Sequence, residues 1–162
     1  VFFWFIGTAI VAVAMVFRDP RFDYRLLIVG SVLPLADGLF GGARALHSVT
    51  VSVGLLAVLM IATSGRKPIR KMLLGLPIGM ILHLVFDGAW SDTEVFWWPL
   101  FGTSFDDGAL PLVERGWWTV ALEVVGIGIC AWVWRHNRLG DRERRSEFLR
   151  DGRLDAVPPR FA

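Results

Sequence analysis

The chain has 162 residues, of which 54% are hydrophobic and 20% charged, with a formal net charge of +2 and one cysteine. A mean hydropathy of +0.53, with the apolar residues in uncharged blocks, argues against a soluble domain, whose apolar positions are interrupted periodically. The single Cys130 rules out an intramolecular disulfide.

The first block, Val1 to Phe17, carries no charge and predicts a membrane segment, a span needing roughly 20 apolar residues. It begins at once, without the basic leader and cleavage site of a signal peptide, so further residues are expected to precede it. A second segment is predicted over about 25–40. Pro34 interrupts it and Gly38, Gly41 and Gly42 follow, so it is expected to be short, kinked or partly re-entrant. The third runs over about 45–63 and the fourth over about 70–90, with a bend expected at Pro77. Gly75 and Gly79 form a GxxxG in the fourth, the pattern of close helix packing.

A long connection, 91–116, contains "VFWWPLF" at Val95 to Phe101. Trp97, Trp98, Trp117 and Trp118 suit an aromatic belt at headgroup level, and the loop is partly interfacial and long enough for a lid or platform. The fifth segment, about 117–135, carries Gly126 and Gly128 close together. Residues 136–162 read as a charged tail that forms a short helix and then frays. The expected fold is therefore all-α: a polytopic membrane bundle of about five segments over 1–135, followed by the tail.

Fifteen of the seventeen Lys and Arg residues fall in the connections after the first, third and fifth segments; only Arg44 and Arg115 lie on the other side. The positive-inside rule places the fifteen, and the C-terminus, in the cytoplasm. They suit anionic inner-leaflet lipid better than nucleic acid. The outer side holds Asp37, Asp87, Asp92, Glu94, Asp106, Asp107 and Glu114, a face suited to a cation.

With this topology Asp37, His47, His83, Asp87 and Glu123 arrive at similar depth from four segments. His83 and Asp87 lie four apart, one turn along one helix face. Intramembrane carboxylates are penalised by roughly 2.5–3.5 kcal/mol on insertion scales, so they face an interior partner. A divalent metal satisfies such a set: zinc first, with manganese or iron as alternatives. Each residue alone has a plainer role: a histidine bonded between helices, solvated carboxylates at helix ends, or a helix start capped by Ser48. Glu123, inside an apolar block, fits that description least. No phosphate-binding loop, GxSxG elbow or CxxC is present.

These residues resemble the YdjM-like family of bacterial inner-membrane proteins, membrane-bound metal-dependent hydrolases. "PLAD" ending at Asp37, "ALHS" with His47 and Ser48, "GMILHLVFD" with Gly79, His83 and Asp87, "WWP" with Trp98 and Pro99, and "LE" with Glu123 match its motifs over about 30–125. Leu35 stands where that pattern has an aspartate, and Gly42 where it has a histidine. The resemblance implies a metal-dependent hydrolase of the bacterial cytoplasmic membrane. Convergence of these groups beneath a lipid-facing loop suggests an outer-leaflet site acting on a phosphoester of a lipid headgroup or polyprenyl phosphate. Asp37, His47, His83, Asp87 and Glu123 are the expected ligands, with Asp87 and Glu123 also the expected catalytic residues. The rival readings are a transporter or ion pathway built on Asp87 and Glu123, and a non-catalytic adaptor with a membrane-protein partner or a second copy of itself.

Overall fold

The apolar blocks become helices in the computed structural model, whose described residues are 1–17, 19, 22–102 and 116–154. They form α1 (Phe2–Phe17), α2 (Tyr24–Val32), α3 (Val49–Ala62), α4 (Lys67–Leu73), α5 (Gly75–Asp87), α6 (Thr93–Phe96), α7 (Trp118–His136) and α8 (Arg142–Asp151). Shorter 3-10 segments cover Leu33–Phe40, Ala45–His47 and Ala89–Ser91. No strand occurs among the described residues. Asp106, Asp107, Glu114, Arg115, half of the 91–116 connection and the last eight residues lie outside them.

The prolines shape two of the rods. Pro34 has no N–H for the carbonyl four residues back, and α2 gives way to a 3-10 helix at Leu33. Pro77 likewise deprives Leu73 of a donor, and the fourth rod breaks at Leu74 into α4 and α5. The second segment is short, as expected, and at Pro77 the hydrogen-bond ladder is interrupted while Leu74 keeps a helical backbone.

The tightest helix pair is α2 against α5, and glycine makes it possible. A Cβ on Gly79 would collide with the Leu27 carbonyl and the Ser31 backbone nitrogen, and one on Gly75 would lie 2.9 Å from the Leu27 nitrogen. Gly30, on α2, meets the Leu76 carbonyl in the same way. The GxxxG is therefore a packing device that lets two backbones touch. Gly126 does the same for α7 against Trp4 of α1, whereas Gly128 faces open space.

Contacts at the helix ends show that the rods alternate in direction. Asp19 pairs with Lys71 at 3.2 Å, and the Tyr24 N–H donates to the Gly152 carbonyl at 2.8 Å, gathering the basic connections at one end. At the other, the Trp4 ring packs edge-on to Phe86, and Ser48 donates to the Trp98 carbonyl at 2.5 Å.

Polarity is arranged inside out. Ser31, Ser48, Ser52, His47, His83 and Asp87 are buried, while Val58, Ile61, Val120, Val124 and Trp134 are exposed. Two helices are long and apolar enough to cross a membrane, Lys67–Asp87 and Trp118–His136; the apolar α1 and α3 are shorter. Only 11% of the apolar window in Trp118–His136 is buried in the protein, the reverse of a soluble core helix.

The segment after α7 is docked. Leu139 and Leu154 join Ala9, Ile10, Val13, Phe22, Tyr24 and Leu27 in one apolar cluster, with Phe148 packed beside it. Burying such a side chain from water contributes about 1.5–3 kcal/mol, which holds α8 against the α1–α2 turn. The short helix expected there is present, and through Leu154 it packs as part of the helical body.

Candidate metal centre

Local structure aims each side chain. α5 carries His83 and Asp87 one turn apart on its inner face, both 1% exposed. The close α2–α5 approach brings the Ser31 carbonyl to His83, whose Nδ1–H donates to it at 2.7 Å. Phe5 of α1 stacks on the same ring with centroids 3.8 Å apart. His47 comes from the Ala45–His47 turn, and its ring stands edge-on to His83 at 5.4 Å.

Asp37 organises that turn. Its Oδ2 accepts the backbone N–H groups of Arg44 at 2.9 Å, Leu46 at 3.0 Å and His47 at 3.2 Å, and lies 3.0 Å from His47 Nδ1. Ser48, the next residue, caps α3 by accepting from Thr50 and Val51, while its hydroxyl reaches the Trp98 carbonyl. The capping role foreseen for Ser48 is thus observed. Trp97, Trp117 and Trp118 are exposed as a belt requires, but Trp98 is half-buried and held through its carbonyl.

Both imidazoles use Nδ1 as donor, because a carbonyl or carboxylate only accepts. Each, as a neutral ring, is then left with a lone pair on Nε2. Both Nε2 atoms are buried and have no hydrogen-bond partner among the described residues. Leaving such a nitrogen dry costs roughly 1–3 kcal/mol. Asp87 Oδ2 stands 3.8 Å from His47 Nε2. One ligand atom each from His47, His83 and Asp87 lies within 4.8 Å of the others, so the three can hold a metal ion. Ligands of a tetrahedral zinc sit about 3.4 Å apart for bonds near 2.1 Å. Two neutral imidazoles and a carboxylate, with both Nδ1 atoms anchored, form the donor set and outer shell of many metal sites. These residues fit a divalent metal.

Three of the five expected ligands come together. Asp37 lies one layer back, behind His47. Glu123 faces elsewhere: it accepts from the backbone N–H groups of Phe3 at 3.0 Å and Trp4 at 3.3 Å, away from the two histidines. The Ser31 carbonyl and the Phe5 ring, which hold His83, have no sequence signature. Ser31 is set by the glycines around it, and Phe5 is one of twelve phenylalanines. Compared with known proteins, the chain matches no family model, no curated protein and no solved structure.

Proposed function

We propose that the chain is a membrane-embedded, metal-dependent hydrolase, as its motif resemblance to the YdjM-like family implies. The observation that carries the reading is the convergence of two buried Nε2 atoms, without a hydrogen-bond partner among the described residues, with the Asp87 carboxylate. His47, His83 and Asp87 hold the metal, with zinc the first choice for two imidazoles and one carboxylate, and manganese or iron next. A bound metal supplies Lewis acidity and an activated water near neutral pH. The chain's own groups do the rest. Ser31 and Asp37 orient the imidazoles, Phe5 keeps water from His83, and Asp87 is the carboxylate within reach to take a proton from an attacking water.

The setting supports a lipid substrate. The inside-out polarity and exposed apolar faces fit five membrane segments, with α1 and α3 filling out the bundle around the two longer rods. The basic connections meet at the end away from the histidines, which fits the bacterial cytoplasmic membrane with the C-terminus inside and the site toward the outer leaflet. Exposed Trp90, Trp97, Phe101, Trp117 and Trp118 surround that end, where a lipid headgroup phosphoester or polyprenyl phosphate can approach sideways.

Reconstitution tests this. Full-length protein in vesicles containing polyprenyl diphosphate or phosphatidic acid should release phosphate with zinc or manganese, and stop with a chelator and in His83→Ala. Release that is equal in wild type and His83→Ala, or absent from every lipid phosphoester with metal bound, contradicts the hydrolase reading.

A further inference from the structure

The two imidazoles are held by chemically different partners. His83 Nδ1 donates to a neutral carbonyl, that of Ser31. His47 Nδ1 donates to a carboxylate 3.0 Å away, itself 4% exposed. A charged acceptor polarises the ring more strongly, raising the electron density at Nε2 and so its strength as a ligand.

The Asp37 oxygen that does this is fully engaged. A carboxylate has about four lone-pair sites across two oxygens, yet Oδ2 alone receives three backbone N–H groups and the His47 ring. That oxygen has no direction left for an ion, and Asp37 is not among the residues whose ligand atoms gather at His47, His83 and Asp87. The same three backbone bonds fix the Arg44–His47 turn, so the carboxylate sets both where His47 stands and which nitrogen it shows.

We propose that Asp37 is a positioning residue of the metal centre: it holds His47 as the Nδ1–H tautomer, presents Nε2 toward His83 and Asp87, and is not a ligand. The proposal rests on the metal reading above and departs from the motif resemblance, which implies direct ligation by Asp37. Asp37→Asn keeps an acceptor for the backbone N–H groups and removes the charge.

The test is titration of detergent-solubilised full-length protein with Zn(II) and Co(II), with X-ray absorption on the loaded forms. Asp37→Asn should still bind one ion per chain with the same nearest shell, but about 10–100-fold more weakly, the usual effect of losing an outer-shell partner. Loss of an oxygen from the shell, or no binding at saturating metal, makes Asp37 a ligand and overturns the proposal. Unchanged affinity overturns the positioning role alone, whereas a wild-type chain that binds no ion defeats the metal centre itself. Nitrogen NMR of the metal-free wild type, taken at a pH where the ring is neutral, needs no variant: the His47 proton should sit on Nδ1, and the Nε2–H tautomer contradicts the proposal.

Discussion

The two ends of the helical body treat charge in opposite ways. At the basic end, charged groups are mostly exposed, and all of these are answered close by, the buried Asp23 included: Asp23 by Arg25, Lys71 by Asp19, Arg144 by Glu147, Arg150 by Asp151. A cavity of about 300 Å³ there is lined by Arg144, Glu147, Phe148 and Arg153, a groove between solvated ions. At the other end, two carboxylates and two imidazoles are at most 4% exposed, and two ring nitrogens have no partner among the described residues. Surface pairs contribute roughly 0–1 kcal/mol each, whereas unanswered buried polar atoms cost more than that. A fold tolerates the second arrangement where something binds, which is what the proposed function places at the histidine end.

Variants can break or sharpen the contrast. The largest effect is expected from Gly79→Val, whose side chain would be driven into the Leu27 carbonyl and Ser31 backbone. Overpacking of this kind costs about 1–3 kcal/mol or more. Thermal unfolding in detergent should show a large drop in Tm together with loss of metal binding, because the same contact aims His83.

Arg25→Ala acts at the other end. Its guanidinium donates to the Leu149 and Arg150 carbonyls at the end of α8 and to Asp23. With that side chain 33% exposed, about 1 kcal/mol is expected, read as faster proteolysis of α8 with metal binding intact. Burial pushes the Asp23 carboxyl up, but hydrogen bonds from the Arg25 side chain and backbone, with its charge, outweigh this and hold it below the ordinary 3.8. The stabilisation is therefore complete above that value and is lost as pH falls beneath it. Acid titration of α8 protection should show the loss in wild type and not in Arg25→Ala.

Ser48→Ala removes the α3 cap and the tie to Trp98, for about 1 kcal/mol, and should lower Tm modestly. Smallest of all, Gly128→Ala meets nothing within 4 Å and should leave stability level or slightly raised through helix propensity. The same change at Gly126, against the Trp4 backbone, should be clearly destabilising.

Sequence period and proline placement made most of this legible. The five apolar blocks became the rods, and Pro34 and Pro77 broke them where a missing N–H requires. The His83–Asp87 spacing placed two donors on one face because helix geometry is local. The partners of those donors were not legible, since they depend on contacts between segments. Glu123 shared the depth and chemistry of the site, yet its position on α7 turns it to the start of α1. Asp37 was visible as a carboxylate near His47, but only the turn from Arg44 to His47 shows that it stands behind the ring.

Metal content tests the central claim most directly. Full-length protein purified with zinc supplied and then dialysed should carry one ion per chain by elemental analysis, and His47→Ala and His83→Ala should each carry none while remaining helical. A wild-type chain without metal, or both variants retaining it, would contradict the account.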